Sequence, residues 1–193
     1  MSTAIVKYNA GNIQSVLFAM ERIGAPAMVT DDPELIRKAD KVIFPGVGEA
    51  SSAMKYLRER NLDEVLRSLK QPVLGICLGM QLMCRHSEEG DTACLGLFDT
   101  MVRKFDQGLK TPQIGWNQAA SVKGKLFEGL TGSPYFYFVH SYYAGLCDET
   151  VAVTEYGINF SSALQKDNFY GVQFHPEKSA EAGQRLLQNF LNL

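Results

Sequence analysis

The sequence predicts an α/β fold in which a mainly parallel central sheet is flanked by helices and extended by antiparallel strands. In the first 86 residues, short apolar segments alternate with segments of helical periodicity, the pattern of right-handed β-α-β units. The segment Val73-Leu74-Gly75-Ile76 is wholly apolar, as expected for a strand that helices cover on both faces. Beyond Leu97 the pattern changes to short β segments separated by turn residues, which predicts the antiparallel extension.

Strands and helices follow one another in the first half of the chain. The predicted strands cover residues 3–8, 27–30, 41–45 and 73–76. A first helix starts at Ile13, with Asn12 as its predicted N-cap and Gly24 as its stop. The next starts at Asp31-Asp32-Pro33, where a capping residue precedes proline. Further helices are predicted at residues 50–60, 62–70 and 78–86.

The second half is predicted to be mainly β. Its strands cover residues 101–105, 117–122, 135–139, 151–156, 161–165 and 170–174. A terminal helix over residues 179–193 carries Leu186, Leu187 and Phe190 on one face, so it should pack onto the sheet. No linker or repeat interrupts the chain, and we expect residues 1–193 to form a single domain.

Charge and hydropathy exclude several classes of partner. Nineteen Lys and Arg residues against 21 Asp and Glu leave a net charge of −2, which gives no overall positive field to hold a nucleic acid. No run of about 18 apolar residues occurs, and the start of the chain does not resemble a signal peptide. We therefore expect no nucleic-acid or membrane partner and a cytoplasmic location.

The four cysteines form no C-x-x-C pair, so no metal or cofactor site is predicted.

Cys77 stands in a setting typical of a nucleophile. The string Gly75-Ile76-Cys77-Leu78-Gly79 lies where the buried strand meets a helix, and its glycines relieve crowding around a sharp turn. The helix N-terminus favours a thiolate, and the Leu78 N–H can serve an oxyanion. Taken alone, Cys77 can equally be a small buried apolar residue, which is the interpretation we give to Cys84, Cys94 and Cys147.

His175 is the best candidate for the base that serves this cysteine. It follows the predicted strand at residues 170–174, so it lies at the edge of the sheet where α/β folds build their sites. Glu177 is two residues further on and can orient the imidazole. His86 is assigned instead to a helix end, and His140 to the end of another strand. By itself His175-Pro176-Glu177 is also compatible with an ordinary surface turn.

Together the two motifs resemble the class I glutamine amidotransferases, which combine a G-x-C-x-G turn with a later H-P-E. More narrowly, the chain resembles the glutaminase subunits of imidazole glycerol phosphate synthases over essentially its whole length. The resemblance is carried by Tyr8-Asn9-Ala10-Gly11-Asn12-Ile13, Pro45-Gly46-Val47-Gly48, Gly75-Ile76-Cys77-Leu78-Gly79-Met80-Gln81, Ile114-Gly115-Trp116-Asn117, Phe136-Tyr137-Phe138-Val139-His140-Ser141-Tyr142 and Gly171-Val172-Gln173-Phe174-His175-Pro176-Glu177-Lys178-Ser179. It implies the class I glutamine amidotransferase fold, which is flavodoxin-like.

The resemblance also implies roles for individual residues. Cys77, His175 and Glu177 would form the catalytic triad. The predicted oxyanion hole comprises Val47, Gly48 and Leu78, and the predicted glutamine-binding residues are Gly46, Gln81, Glu89, Ser141 and Tyr142. The binding residues can also be ordinary polar or packing residues. Departures from the subfamily pattern occur at Lys7, Asn9-Ala10 and Gln113, outside the triad and its glycines.

The implied reaction is hydrolysis of glutamine to glutamate and ammonia through a thioester on Cys77. The ammonia would pass to a cyclase partner that folds as a (β/α)8 barrel, within a heterodimer. That complex makes imidazole glycerol phosphate and aminoimidazole carboxamide ribotide in histidine biosynthesis. We expect the loop at Gly46-Val47-Gly48 to complete the oxyanion site only when the partner and its substrate are bound. The alternatives are a glutaminase for another acceptor, a non-catalytic binding subunit, and a cysteine peptidase or γ-glutamyl hydrolase.

Overall fold

The computed structural model describes residues 1–9, 11–106 and 108–193. Its strands are β1 Thr3–Val6, β2 Met28–Thr30, β3 Lys41–Gly46, β4 Val73–Cys77, β5 His86–Ser87, β6 Thr92–Ala93, β7 Met101–Lys104, β8 Gln113–Gln118, β9 Tyr135–His140, β10 Tyr142–Ala144, β11 Thr150–Glu155, β12 Asn159–Lys166 and β13 Phe169–Val172. Its α-helices are α1 Ile13–Arg22, α2 Pro33–Lys38, α3 Ala50–Glu59, α4 Leu62–Ser68, α5 Leu78–Met83 and α6 Ala180–Leu191. None of the helices in these ranges is long and apolar enough to cross a membrane.

The large sheet has a parallel centre and an antiparallel flank. Its strand order is β2-β1-β3-β4-β13-β12-β10-β7-β5-β6, with β11 also paired to β12. The first five strands in this order run parallel, whereas β12 and β10 join antiparallel to their neighbours. β7 pairs antiparallel with β10 and parallel with β5. β8 and β9 form a separate antiparallel pair. The predicted α/β class, with its antiparallel extension, is therefore confirmed.

Helices cover both faces of the parallel centre. Along β1, Ala4 and Val6 belong to one buried cluster and Ile5 belongs to the other, because successive side chains of a strand point to opposite faces. Helices α2 to α5 contribute apolar residues to the first cluster, and α1 and α6 contribute to the second. This burial on two sides explains why the central strands are apolar without alternation.

Two helix boundaries follow the local signals in the sequence. The Asp32 side chain accepts hydrogen bonds from the backbone N–H groups of Glu34 and Leu35, and Pro33 is the first residue of α2. Gly24, the predicted stop of the first helix, follows the last turn of α1 with a φ of 70°. Glycine adopts this left-handed conformation without a steric penalty, so it ends a helix readily.

Other boundaries differ from the prediction. α5 ends at Met83, and His86 pairs with Ala93 in the β5–β6 hairpin instead of ending the helix. The strand predicted at residues 117–122 is displaced to Gln113–Gln118, where it pairs with β9 over its whole length. Strands β5, β6 and β10 are absent from the prediction, because two or three residues are too few to show a period.

β13 belongs to the parallel centre rather than to the antiparallel extension in which the sequence places it. It pairs parallel with β4, with Val172 opposite Ile76. Its other edge pairs antiparallel with β12. Because parallel strands end at the same edge of a sheet, the residues that follow Val172 come to lie beside those that follow Ile76. This pairing brings the two predicted catalytic motifs together.

Helix α6 packs onto the sheet, as predicted, and supports the turn after β13. Leu186, Leu187 and Phe190 are buried in the second cluster. Gly183 approaches the 3-10 turn Pro176–Lys178 so closely that an added Cβ would collide with the Pro176 carbonyl. The absence of a side chain at Gly183 therefore allows the helix to rest directly on this turn.

Replacement of Gly183 by alanine should destabilise the protein, although alanine is the better helix former. The gain in helix propensity is about 1 kcal/mol, whereas overpacking against backbone typically costs about 1–3 kcal/mol and sometimes more. Because the collision is with backbone, the cost lies towards the upper end of this range, and we expect the free energy of unfolding in urea to fall by about 1–2 kcal/mol. Gly108→Ala, with open space around its Cβ, is the control and should change it by less than about 0.5 kcal/mol. A Gly183→Ala protein as stable as wild type would contradict the close contact.

Candidate active site

Cys77 ends β4 and immediately precedes α5, in a strained turn. Its backbone has φ 54° and ψ −110°, a region that residues other than glycine rarely adopt. A Cβ at Gly75 would come within 2.5 Å of the Met83 sulfur, and a Cβ at Gly79 would collide with the Phe44 carbonyl. The two glycines that frame the cysteine thus allow the close packing of α5 that holds it in place.

The ends of three neighbouring strands meet at this turn. In the register of β3 and β4, Gly46 lies opposite Cys77, so the loop that continues into Val47 and Gly48 flanks the cysteine on one side. β13 lies on the other side and leads to His175. The predicted placement of both motifs at the carboxyl edge of the parallel sheet is correct.

His175 and Glu177 form a buried ion pair. The imidazole Nδ1 lies 2.7 Å from Glu177 Oε1, and the side chains are 1% and 0% exposed. Because a carboxylate oxygen only accepts, Nδ1 carries the hydrogen. The other nitrogen, Nε2, is buried and has no hydrogen-bond partner by distance and angle among the described residues. It is therefore the nitrogen that remains to exchange a proton with the cysteine.

The charges around His175 favour its protonated form. Burial alone would lower the pKa of the imidazole, but the neighbouring Cys77 sulfur and then the Glu177 carboxylate together raise it to about 10. Desolvation is thus outweighed by two negative partners. At neutral pH the site therefore favours the protonated form of His175.

Asn12 belongs to the same cluster, a role that the sequence analysis missed. Its Nδ2 donates to Glu177 Oε1 at 2.5 Å and lies 3.3 Å from His175 Nδ1. The predicted N-cap role is wrong for its side chain, which makes no capping hydrogen bond. The backbone of Asn12, with a φ of 72°, is not in the extended conformation usual for a capping residue, and its NH₂ group donates to Glu177 instead. No local signal could reveal a contact across 165 residues.

A cavity of about 280 Å³ opens onto Cys77. Seven of the predicted oxyanion and binding residues line it: Val47, Gly48, Leu78, Gln81, Glu89, Ser141 and Tyr142. Gly46 is not among the lining residues, because it lies against the Tyr8 hydroxyl. Pro112, Val139 and His140 also line the cavity and were not predicted to do so. Its volume lies just below the usual range for drug-sized ligands, about 300–1,000 Å³, which suits a ligand of amino-acid size.

Two polar side chains of the cavity wall, Gln81 and Glu89, are already anchored. The Gln81 amide donates to the Tyr142 carbonyl at 2.8 Å and to the Gln173 side chain at 2.9 Å. One Glu89 oxygen accepts from the Ala50 N–H at 2.8 Å, and burial raises the pKa of this carboxyl. These bonds hold the cavity wall in one shape, which reduces the cost of ordering it around a ligand.

The loop at Gly46-Val47-Gly48 is tied to the segment before α1. The buried Tyr8 hydroxyl donates to the Pro45 carbonyl at 2.6 Å, and the Gly11 N–H donates to the Val47 carbonyl at 3.2 Å. Because the carbonyl and the N–H of a trans peptide point in opposite directions, the Gly48 N–H points away from Gly11. The orientation of this peptide therefore depends on a neighbouring loop.

His140 does not act as a base in this geometry. Burial lowers its pKa to about 4, so the imidazole is neutral. Its Nδ1 lies 2.7 Å from the Tyr142 carbonyl, and its Nε2 lies 2.9 Å from the Gln113 amide. Since a carbonyl only accepts, Nδ1 carries the hydrogen, and the Gln113 amide must turn its NH₂ group towards Nε2. Gln113, one of the departures, thus supports His140.

The other departures lie away from the catalytic cluster. Lys7 is exposed, and the Asn9 side chain donates to the Ser52 carbonyl at 3.2 Å. Ala10 lies outside the described residues.

His86 is 2.9 Å from the exposed Asp91 carboxylate in the β5–β6 hairpin. Within the described part of the chain, no group of three or more His, Cys, Asp or Glu side chains is placed to hold a metal ion.

Known proteins share both the sequence and the fold. A family model described as "Glutamine amidotransferase class-I" matches residues 8–193. The protein named imidazole glycerol phosphate synthase subunit HisH from Bacteroides thetaiotaomicron is 55% identical over 100% of both chains, and that of Yersinia pestis is 47% identical, also over 100% of both. A crystal structure of a glutamine amidotransferase superimposes with a TM-score of 0.76 at 21% identity, covering 98% of this chain and 97% of that one. The last similarity concerns the fold alone.

The neutral state of His140 predicts a pH dependence of stability. Its pKa is about 4 in the folded protein and about 6.5 in an unfolded chain. Between these values the unfolded chain binds more protons, so stability falls as the pH decreases from about 6.5 to about 4. The difference corresponds to about 3 kcal/mol.

The His140→Asn variant removes this proton uptake. We expect its free energy of unfolding to lose about 2 kcal/mol less than that of wild type between about pH 7 and pH 4.5. Urea denaturation at each pH measures both curves, and only their slopes are compared because the substitution also changes packing. Parallel curves for the two proteins would contradict a neutral, buried His140.

Proposed function

The chain belongs to the class I glutamine amidotransferase family, and on this premise we propose that it is the glutaminase subunit of an imidazole glycerol phosphate synthase. The observation that carries the proposal is the buried Cys77–His175–Glu177 cluster at a small cavity. Relatives named as subunit HisH, 47–55% identical over the whole chain, support this choice within the family. They also argue against a glutaminase for another acceptor.

In the proposed reaction the Cys77 sulfur attacks the side-chain carbonyl carbon of glutamine. As the C–N bond breaks, the His175 imidazolium gives its proton to the leaving nitrogen, and ammonia departs from a thioester. The negative charge of the sulfur is the first of the influences that raise the His175 pKa. Acylation removes this charge, so the pKa of the imidazole falls. The neutral imidazole then takes a proton from water, which attacks the thioester and releases glutamate.

The cavity residues provide complementary groups for the amino-acid end of glutamine. We assign the Glu89 carboxylate to the α-ammonium group, and Gln81, Ser141 and Tyr142 to the rest of that end. All four line the cavity that Cys77 opens into. The small volume disfavours a peptidase, because a peptide chain needs an extended groove. Gly46 acts in this proposal by allowing the loop to pass the Tyr8 hydroxyl.

The oxyanion of the tetrahedral intermediate needs two N–H donors, of which the Leu78 N–H is one. We assign the second to the loop at Val47 and Gly48. The Val47 carbonyl is bonded to the Gly11 N–H, so a change in the segment before α1 can reorient the Val47–Gly48 peptide. Glutamine hydrolysis would then be slow until a partner binds, which prevents wasteful release of ammonia.

The proposed partner is the cyclase, which folds as a (β/α)8 barrel and forms a heterodimer with this chain in the cytoplasm. Ammonia that reaches water is protonated and lost as a nucleophile, so the two sites must share a sealed interface. Exposed apolar side chains support such an interface: Val47 at the cavity, and Ile114 and Trp116 on β8, are 37%, 63% and 52% exposed. The chemistry of the cyclase then yields imidazole glycerol phosphate and aminoimidazole carboxamide ribotide.

Cys77→Ala should abolish only the glutamine-dependent reaction of the complex. With the cyclase and its nucleotide substrate, we expect turnover with glutamine to fall at least about 10³-fold, while turnover with ammonia stays at the wild-type level. Cys147→Ala, at a partly buried thiol, is the matched control and should retain both reactions. Loss of the ammonia-dependent reaction as well would disprove this division of labour.

The isolated chain should hydrolyse glutamine slowly. One missing oxyanion donor typically costs about 10²–10³-fold in kcat, so we expect the complex with bound nucleotide to exceed the isolated chain by about this factor. Glutamate release in steady-state assays, with and without the cyclase, measures the ratio. Equal rates would refute the gating while leaving the glutaminase assignment intact.

A further inference from the structure

We propose that Gln173 holds the Cys77 sulfur in its reactive thiolate form by donating an amide N–H bond to it, with Gln81 setting the direction of the Gln173 amide. The inference rests on the proposed function, in which the thiolate is the nucleophile. It assigns a task to a polar side chain that the catalytic mechanism above leaves unused. That side chain is fully buried, with 0% of its surface exposed.

Gln173 stands next to the nucleophile by virtue of the fold. It follows β13 directly and precedes His175 by two residues, and its backbone N–H donates to the Ser162 carbonyl at 2.9 Å. Its side-chain Nε2 lies 3.7 Å from Cys77 Sγ. The sulfur therefore has an amide donor close by, in addition to the imidazole.

The orientation of the Gln173 amide follows from its neighbours. The Tyr142 carbonyl can only accept, so the Gln81 atom 2.8 Å from it must be the NH₂ nitrogen. That same nitrogen lies 2.9 Å from the Gln173 amide and needs an acceptor there, which only the oxygen can provide. The NH₂ group of Gln173 must consequently be the end that faces the sulfur.

This donor favours the thiolate over the thiol. As a thiol, Cys77 donates to the Val139 carbonyl at 3.7 Å. When the proton moves from Sγ to His175 Nε2, the electron pair stays on sulfur, the bond to Val139 is lost, and the carbonyl dipole becomes repulsive. The Gln173 N–H then bonds to an anion, and hydrogen bonds to charged groups are the stronger class. The attraction of the Gln173 N–H for the thiolate thus offsets its repulsion by the Val139 carbonyl.

Several titratable groups surround Cys77, and the replacement of Gln173 removes none of them. Tyr8 follows β1, and burial and then the nearby Cys77 sulfur raise its pKa. His175 and Glu177 follow β13, His140 ends β9, and Glu89 lines the shared cavity. Because Gln173 carries no charge, its replacement by methionine removes its hydrogen bonds to Cys77 and Gln81 but no ion.

The test is alkylation of Cys77 by iodoacetamide in the full-length chain, quantified by mass spectrometry over a range of pH. Gln173→Met keeps the length of the side chain and removes its donor. We expect alkylation at neutral pH to be about 10- to 100-fold slower than in wild type. The difference should narrow at alkaline pH, where the thiolate forms without help. In the complex with the cyclase, kcat for glutamine should fall by a similar factor, and the loss of the acceptor for Gln81 should raise KM in addition.

Two further variants separate a specific effect from a general disturbance. Gln165→Met, the same substitution at a partly buried position on β12, should match wild type in both assays. Gln173→Glu keeps an acceptor for Gln81 but places an oxygen beside the sulfur, so it should slow neutral alkylation as well. Thermal melting checks that each variant is folded.

Two results would overturn the inference. One is alkylation of both Gln173 variants at the wild-type rate, and the other is slowing by one constant factor at every pH, which indicates only altered access. Reactivity towards iodoacetamide does not require glutamine turnover. If wild type fails to hydrolyse glutamine in the complex but the alkylation results are as expected, the proposed function fails and the role of Gln173 stands.

Discussion

The close packing of α5 against β3 is the constraint on which the rest of the site depends. Gly79 lies against the Phe44 carbonyl with no room for a side chain, and Gly75 lies close to α5 from the strand side. This contact holds Cys77 at a positive φ, a conformation that costs about 1–3 kcal/mol for a residue with a side chain. The buried core beneath it supplies the stability that maintains the strain.

The electrostatics of the site follow from that placement. Burial would lower the pKa of the His175 imidazole, but the Cys77 sulfur and the buried Glu177 carboxylate beside it together raise this pKa. Asn12 adds a donor to Glu177, and on our proposal Gln173 adds one to the sulfur. A proton can therefore move between Cys77 and His175 within a fixed set of dipoles, so little reorganisation is needed during the reaction.

The segment before α1 contacts both the loop at Gly46-Val47-Gly48 and the His175–Glu177 pair. Within this segment, Tyr8 and Gly11 bond to the loop at Pro45 and Val47. Through Asn12 the same segment contacts Glu177. On the proposed function, a partner that displaces this segment would act on the oxyanion loop and on the triad together. The coupling requires no movement of the sheet.

The sequence by itself determined the fold class, the strand-to-helix turn at Cys77 and the pairing of His175 with Glu177, because these depend on periodicity, on glycines at short spacing and on residues two positions apart. Asp32 capped its helix as predicted, since its partners are two and three residues away. Only the tertiary structure decided the parallel pairing of β13, the recruitment of Asn12 to Glu177 and the contact of Gln173 with Cys77. These depend on partners 96 to 165 residues apart, and no local pattern records which distant groups will meet when the chain folds.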